Sequence, residues 1–294
     1  MSSSEPKSTY VLITPVRNEA AYVGNTIQAV VAQTRRPAEW VIVSDGSTDA
    51  TNDIVSAAAA QHAWIRLLAL PPRVGHSFAA VVQNTEKGIR SLQTRDYQFL
   101  GLLDADVTFP AGYFEELIRH FDENPRLGLA GGVVIDVGLP KDRFPRNRYD
   151  VPGAVQFFRR ACFESLGGML AIPEGGWDAL TCAKARMQGY ETRLLTSLVV
   201  DHHKPRNAAE GNVFRRKWQL GVRDYALGYH PLFELFKCFG RWHDRPYFIA
   251  AFCWWLGFCH SYLKRRPTLI PPDLLAFMHG EQRRRLWRLI GFSR

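Results

Sequence analysis

The sequence predicts an α/β fold: a mostly parallel sheet with flanking helices, followed by a basic, tryptophan-rich helical C-terminal region. One observation over the first 135 residues predicts the sheet: short apolar runs alternate with segments of helical periodicity. Acidic clusters follow two of those runs and are the first indication of a functional site. Another observation, the charge of the last third, predicts the C-terminal region. Buried strands that alternate with helices form parallel sheets covered on both faces.

The predicted elements follow one another regularly. Apolar runs predict five strands, over residues 10–13, 40–43, 65–70, 99–103 and 127–134. Helical spacing predicts the helices between them, over residues 23–31, up to about 61, 78–92 and 113–121. Residues 138–153 are rich in Pro, Arg and Asp and are typical of a loop. Ligands bind at the carboxyl ends of parallel strands, so polar residues after the strands are candidate site residues.

Composition excludes several classes of protein. The chain has 294 residues, of which 46% are hydrophobic and 22% charged, which is typical of a globular protein and not of a disordered, collagen-like or coiled-coil chain. The five cysteines form no C-x-x-C pattern and indicate neither a disulfide framework nor a zinc site. The polar N-terminus has no apolar secretory segment, so we expect a cytoplasmic protein.

Charge divides the chain into two parts. Residues 1–200 hold 20 Lys and Arg against 21 Asp and Glu, whereas residues 201–294 hold 17 against 7, a net charge of +10. We therefore predict a catalytic domain over 8–205 and a helical region over 206–294. The basic region also carries five of the eight Trp and indicates an anionic partner, for which we favour a membrane surface. Nucleic acid is not expected, because no nucleic-acid-binding motif accompanies the charge.

The most apolar stretch, residues 246–263, has three interpretations. It is a helix buried against the catalytic domain, a helix in the membrane interface, or a full span, for which about 17 residues is at the short limit. The mixed basic and apolar segment at 283–290 is typical of interfacial helices. We expect a peripheral protein on the inner membrane face. A helix buried against the catalytic domain remains the alternative interpretation.

Two acidic clusters follow predicted strands. Asp45 precedes a turn, Gly46 to Asp49, whose side chains can cap the next helix and leave Asp45 able to accept hydrogen bonds from a ligand. Asp104-Ala105-Asp106 ends the fourth strand. On an extended segment, carboxylates two residues apart point the same way and suit Mg²⁺ or Mn²⁺ bound to a diphosphate. The alternative is a solvated loop with two acids.

Two candidates lie further along the chain. Asp178 follows Gly175-Gly176-Trp177 and is predicted near a helix N-terminus, where the ionised carboxylate is favoured. It suits a general base, with a helix cap as the alternative. His202 and His203 follow an apolar run, and adjacent residues on a strand point to opposite faces, so at most one of them faces a site.

The turn after the first strand lacks the usual phosphate-binding patterns. Residues 14–19 contain neither G-x-G-x-x-G nor a P-loop, so a nucleotide bound here must be held by side chains and a metal. The same absence of a glycine-rich, basic loop argues against a sugar nucleotidyltransferase.

The order of these motifs resembles glycosyltransferase family 2, with the GT-A fold, of the bacterial polysaccharide or glycan type. The resemblance covers about residues 8–205 and rests on Pro15 to Glu19, Ser44 to Asp49, Asn84, Gly88, Asp104 to Asp106, Gly167-Gly168, Trp177-Asp178 and His202. It implies an inverting, hexosyltransferase-like enzyme that uses Mn²⁺ or Mg²⁺, a nucleotide-diphosphate sugar donor and a glycan or lipid-linked acceptor.

The resemblance also implies roles for individual residues. The nucleoside pocket would be lined by Pro15, Arg17, Glu19 and Asp45. The metal would be held by Asp106, with Asp104 near the ribose and metal and His202 near the metal or diphosphate. Asp178 would be the acceptor base. A catalytically silent nucleotide-sugar-binding or membrane scaffold subunit is the alternative, against which the intact carboxylates argue.

Two positions depart from the family pattern. Ser44 stands where the family usually has the first Asp of Asp-Asp-Gly-Ser. The Q-x-x-R-W motif of processive synthases is absent, since the nearest segment, Phe214 to Trp218, lacks the Gln. A processive polymerase is therefore not expected.

Overall fold

The computed structural model describes residues 8–72, 79–138, 148–204, 213–242 and 247–289. The chain divides into two compact units. The first, called the sheet unit, comprises Met1–Ala171 and Trp177–Arg206; the second, called the helical unit, comprises Ile172–Gly176 and Asn207–Arg294. The start of the helix predicted over 78–92, most of the predicted loop and Ile290 lie outside the described residues.

The sheet unit contains one eight-stranded sheet. Its strands are β1 (Tyr10–Val16), β2 (Glu39–Asp45), β3 (Ile65–Leu70), β4 (Phe99–Leu103), β5 (Val107–Thr108), β6 (Leu127–Asp136), β7 (Val155–Arg159) and β8 (Glu191–His202). They lie in the order β3-β2-β1-β4-β7-β6-β8-β5. The pairs β1–β2, β2–β3, β1–β4 and β6–β8 are parallel, and three pairs that involve β5 or β7 are antiparallel. The predicted fold class is confirmed.

Helices cover both faces of this sheet. They are α1 (Val23–Val31), α2 (Thr51–Gln61), α3 (Ala79–Ser91), α4 (Tyr113–Glu123), α5 (Arg160–Ser165) and α6 (Trp177–Met187). Alternate residues of β1 enter different cores: Leu12 packs with α1, α2 and α4, and Ile13 packs with α3, α5 and α6. A side chain at Gly88 would begin 2.7 Å from the Ile13 methyl group, so its absence lets α3 pack directly on β1.

The helical unit contains four helices among the described residues: α7 (Val213–Ala226), α8 (Pro231–Phe239), α9 (Ile249–Leu263) and α10 (Pro272–Leu289). Two glycines bring α7 and α9 into backbone contact. A Cβ at Gly221 would lie 2.0 Å from the Trp254 carbonyl oxygen, and one at Gly257 would lie 2.2 Å from that of Trp218. Over the described ranges, no helix combines the length and the apolar character needed to cross a bilayer.

Candidate active site

The sequence-predicted residues of the nucleoside pocket follow neighbouring parallel strands. Because β2, β1 and β4 are adjacent and run the same way, Asp45, Arg17 and Asp104 emerge at one edge of the sheet. Arg17 Nη1 lies 3.8 Å from Asp45 Oδ2, and the Asp45 side chain is only 10% exposed. Pro15 is paired with Val43 in the strand register. This edge therefore gathers charged groups on a rigid base.

Hydrogen bonds join the turn after β1 to the turn after β2. The Asn18 N–H donates to Ser47 Oγ at 3.1 Å, and Asn18 Oδ1 accepts from the Thr48 N–H at 2.8 Å. The Glu19 N–H donates to Thr51 Oγ1 at 2.8 Å. Asn18 adopts a left-handed backbone with φ of 55°, which Asn tolerates better than most residues. The two turns consequently form one hydrogen-bonded structure.

Ser44, the departure from the family pattern, takes part in its own turn. Its hydroxyl lies 3.0 Å from the Ser47 hydroxyl and accepts the Ser47 N–H at 3.4 Å. At this position the side chain stabilises the loop that presents Asp45.

The Asp104-Ala105-Asp106 segment is a turn between β4 and β5. The expectation of an extended segment is wrong, because the chain reverses here to begin the short strand β5. The Thr26 hydroxyl on α1 bonds the carbonyl oxygens of Ala105 and Val107, at 2.7 and 2.9 Å, and fixes the turn. Asp104 donates its N–H to the Ala154 carbonyl at 3.0 Å.

Asp106 contacts His202, and His202 in turn contacts Asp136. The distance from His202 Nε2 to Asp106 Oδ2 is 3.3 Å, and that from His202 Nδ1 to Asp136 Oδ1 is 3.1 Å. The second contact is close but not aligned as a hydrogen bond, since Nδ1 has no hydrogen-bond partner. His203 lies instead against Thr108, with 2.7 Å between Nε2 and Oγ1. Of the two adjacent histidines, His202 contacts the carboxylates of Asp106 and Asp136 with its ring, whereas His203 donates its backbone N–H to the Asp106 carbonyl oxygen at 2.8 Å.

Asp106 keeps one atom without a hydrogen bond. Its Oδ1 is buried and has no hydrogen-bond partner, an arrangement that is costly unless a ligand completes it. No group of three or more His, Cys, Asp or Glu side chains within the described ranges is arranged to hold a metal. The Asp106–His202 pair nevertheless fits a divalent cation whose other ligands are diphosphate oxygens and water.

Glu19 pairs with a lysine that follows β8. Lys204 Nζ donates to Glu19 Oε1 at 2.6 Å, while Glu19 Oε2 is buried without a hydrogen-bond partner. Burial raises the pKa of Glu19, as does the nearby charge of Asp106, although Lys204 opposes the shift. Burial lowers the pKa of Lys204, but the hydrogen bond and charge of Glu19 outweigh it, and the net shift is upward.

Asp178 lies in the first turn of α6, as the sequence predicts. Its Oδ2 accepts the Gly153 N–H at 3.1 Å. The next residue, Ala154, accepts the N–H of Asp104. Consecutive residues thus connect the Asp178 carboxylate to the end of β4, where Asp104 begins the acidic turn.

Sequence reasoning missed Asp136 and Lys204. Asp136 could have been found by the criterion that found Asp104, because it is an acid that ends an apolar strand. Lys204 had no comparable signal, since its contact with Glu19 joins residues 185 positions apart.

Comparison with known proteins adds a family and two structural neighbours. The model of glycosyl transferase family 2 matches residues 11–174. A mannosyltransferase from Pyrobaculum calidifontis, in complex with GDP-Man and Mn²⁺, has a TM-score of 0.59 and 18% identity over 98% of this chain and 72% of that one. TarS from S. aureus, in complex with UDP-GlcNAc, has a TM-score of 0.51 and 14% identity over 73% and 65%. No curated protein matches significantly.

These comparisons differ in what they show. The structural likenesses, at low sequence identity, show the shared GT-A fold. The family match runs from β1 past the acidic turn and covers more than half of the chain. The chain therefore belongs to glycosyltransferase family 2 and is a glycosyltransferase of the GT-A fold.

Proposed function

We propose that this glycosyltransferase is metal-dependent and inverting, and moves a sugar from a nucleotide-diphosphate sugar to a hydroxyl of a glycan or lipid-linked acceptor. The observation that carries the proposal is the Asp106–His202 pair beside the carboxyl ends of the parallel strands, with a buried carboxylate oxygen left unbonded. The structural neighbours support the donor class, because their complexes contain GDP-Man with Mn²⁺ and UDP-GlcNAc.

Asp106 and His202 would hold Mn²⁺ or Mg²⁺, with Asp104 at the ribose and metal. The cation supplies charge neutralisation on the departing diphosphate. Arg17 and Asp45, which contact each other, would bind the nucleoside together with Pro15 and Glu19. The Asp136 carboxylate, 3.1 Å from His202 Nδ1, would favour by its charge the ring orientation in which Nε2 faces the metal.

Asp178 is the proposed general base. It would accept the proton of the acceptor hydroxyl while the hydroxyl oxygen forms a bond to the anomeric carbon. The bond from that carbon to the diphosphate oxygen breaks, and the nucleoside diphosphate leaves with the electron pair. One displacement inverts the anomeric configuration. The Gly153 N–H donates a hydrogen bond to the Asp178 carboxylate, which positions this carboxylate and favours its ionised form.

The acceptor proposal extends to location. A lipid-linked acceptor, as in polysaccharide assembly, would be met at the inner face of a membrane by a peripheral, cytoplasmic enzyme. The net charge of +10 in residues 201–294 supports an anionic surface as partner.

Thermal-shift measurements with GDP and UDP, with and without Mn²⁺, test the donor proposal. A ligand that binds the native state at about 100 times its Kd stabilises it by about 2.7 kcal/mol. We expect one of the two to raise the melting temperature only with Mn²⁺, and chelation to reverse the shift. If neither nucleotide shifts the transition, or if the shift ignores chelation, metal-dependent donor binding is wrong.

A further inference from the structure

The helical unit exposes far more apolar surface than the sheet unit. Seventeen large hydrophobic side chains among the described residues are exposed, and fifteen of them belong to the helical unit. Isolated exposed apolar side chains are ordinary, whereas a contiguous group marks a contact surface.

Helix α9 has apolar side chains on its buried face and on its exposed face. Ala250, Trp254 and Phe258 are buried, at helical spacing, on the face that packs against α7. Phe252 and Leu256 are exposed on another face of the same helix. A helix at a water-facing surface normally presents a polar exposed face, so α9 lacks the face that water would favour.

Exposed apolar side chains also occur at the end of α8. Phe236 and Phe239 are exposed on one side of α8, followed by Trp242. The rings of Trp242 and Phe248 lie edge to face with 5.3 Å between their centroids, which joins the end of α8 to the start of α9. The resulting surface, called the apolar corner, consists of Phe236, Phe239, Trp242, Phe248, Phe252 and Leu256.

Charge indicates what covers this corner. The two acids of α7 and α8, Asp224 and Glu234, are 1% and 0% exposed, and both pair with Lys237, so they contribute little negative charge to the exterior. Exposed basic residues, in contrast, accompany the corner: Arg241 lies between Phe239 and Trp242, and Lys264-Arg265-Arg266 follows α9. Apolar side chains accompanied by basic groups complement an anionic lipid bilayer, whose acyl region accepts aromatic rings and whose headgroups attract lysine and arginine.

We propose that the apolar corner inserts into the interface of an anionic membrane and is the docking surface of the protein. The inference rests on the proposed membrane association and assigns it to particular side chains. Trp254, in the middle of the apolar stretch 246–263, is 3% exposed and donates its indole N–H to Asp224, so it belongs to the interior. Insertion depends instead on the phenylalanines of α8 and α9.

Co-sedimentation of the full chain with phosphatidylcholine–phosphatidylglycerol vesicles, at low and high salt, tests this docking surface. Phe239→Ser combined with Phe252→Ser removes two exposed rings and leaves the interior intact. We expect partitioning to fall at least about tenfold, because each ring loses its apolar burial in lipid. The binding that remains in the double variant depends on charge and should vanish at high salt, because salt screens electrostatic attraction. Phe248 is left unchanged because its backbone has φ of 44°, a strained value for a side-chain-bearing residue.

Two control variants separate the contributions. Val137→Ser changes an equally exposed apolar residue of the sheet unit and should leave partitioning unchanged. Lys264→Gln with Arg266→Gln should weaken binding at low salt and preserve the salt-resistant part. Far-UV circular dichroism checks folding, and Phe236→Ser with Leu256→Ser provides a second pair from the same corner if the first pair does not fold.

Three results would overturn the proposal. In the first, the wild-type protein does not bind the vesicles at low salt; in the second, the double variant sediments like wild type. In the third, the wild-type protein forms a dimer that does not bind vesicles, and the double substitution converts this dimer to monomer. The last result would make the corner a contact between two copies. The assay contains no donor or acceptor, so failure of the proposed transfer reaction leaves its outcome unaffected.

Discussion

The sheet unit and the helical unit distribute charge and apolar surface in opposite ways. The sheet unit keeps its apolar side chains in two large cores and a small third cluster around Val133. Only Val137 and Tyr149 among its large hydrophobic residues are exposed over the described ranges. The helical unit exposes fifteen such residues and buries carboxylates at its centre. The difference corresponds to the two proposals above: chemistry at a charged sheet edge, and membrane contact by the apolar corner.

The centre of the helical unit is a buried ion cluster. Asp224 Oδ2 accepts hydrogen bonds from Lys237 Nζ at 2.5 Å and from Trp254 Nε1 at 2.6 Å, and Glu234 Oε2 lies 3.2 Å from the same lysine. Buried charges persist only with such partners, so the cluster fixes how α7, α8 and α9 meet. The helical unit therefore has charged side chains between α7, α8 and α9 and apolar side chains on the exposed sides of α8 and α9.

The largest expected effect concerns the sheet unit alone. Asp178→Asn removes the proposed proton acceptor while nearly preserving shape, and transfer should fall roughly 100-fold or more. Donor binding and vesicle binding should be unchanged. Glu174→Gln, at an exposed carboxylate four residues earlier, is the matched control. Equal turnover by Asp178→Asn and wild type would return Asp178 to the role of a helix-cap residue.

The second prediction concerns the orientation of His202. Asp136→Asn should weaken Mn²⁺ affinity about 10- to 100-fold, measured by titration in the presence of the nucleotide, because the histidine loses the carboxylate behind it. Asp201→Asn, on the neighbouring position of β8, should leave the affinity unchanged. An Asp136→Asn variant that binds Mn²⁺ as tightly as wild type would remove Asp136 from the site.

The third prediction concerns packing in the helical unit. Gly221→Ala places a methyl group 2.0 Å from the Trp254 carbonyl oxygen, so α7 and α9 must separate. We expect a loss of about 1–3 kcal/mol in the free energy of unfolding. Denaturant unfolding monitored by tryptophan fluorescence measures this loss. Gly280→Ala, in α10 with only the Arg284 side chain within 4 Å, should instead stabilise by about 0.5–1 kcal/mol. Equal effects at both positions would show that the crossing is looser than described.

The smallest effect is a pH dependence that belongs to the helical unit. Burial raises the pKa of Glu234 from 4.5 to about 7, with the charge of Asp224 adding to the shift and Lys237 opposing it. A raised folded-state pKa gives stability that is complete below about pH 4.5 and is lost as the pH rises through about 7. The loss should be on the order of 1 kcal/mol, because the Lys237 ammonium, 3.2 Å from Glu234 Oε2, stabilises the ionised carboxylate.

Glu234→Gln keeps this side chain neutral and should flatten the pH dependence in that window. The exposed Asp273→Asn is the control. Denaturant unfolding across the window measures both variants, and an unchanged slope in Glu234→Gln would assign the pH dependence to another group. The charged and titratable groups that face Glu234 are Asp224 on α7, Lys237 and Cys238 on α8, and Cys259 on α9.

Sequence periodicity predicted five of the eight strands, β1 to β4 and β6, but not β5, β7 or β8. The apolar runs of β1, β2, β4 and β6 are continuous because both faces of these strands are buried. β3 lies at the edge of the sheet and is only partly buried. β7 was missed because it joins β4 and β6 in antiparallel pairs over five residues, and β5 because it has only two. The site followed the same division: Asp45 and Asp104 were marked by strand ends, whereas the contact of Asp106 with His202 depends on the pairing of β5 with β8.

The helical unit was predicted by composition, and composition does not determine packing. The apolar stretch that includes α9 suggests burial or membrane contact, and the structure gives α9 a buried face and an exposed face. Which tryptophan belongs to which face depends on Gly221 and Gly257, whose lack of side chains sets the helix crossing. A sequence pattern without this contact cannot separate Trp254 from Phe252.

Calorimetric titration of the full chain with GDP and UDP in the presence of Mn²⁺ tests the central claim most directly. Wild type and the Phe239→Ser, Phe252→Ser double variant should bind one of these nucleotides with the same Kd, because the apolar corner plays no part in donor binding. Asp106→Asn should fold normally and lose the metal-dependent binding. If Asp106→Asn binds the nucleotide with unchanged Mn²⁺ dependence, the metal site does not lie at Asp106 and the account of the sheet edge is wrong.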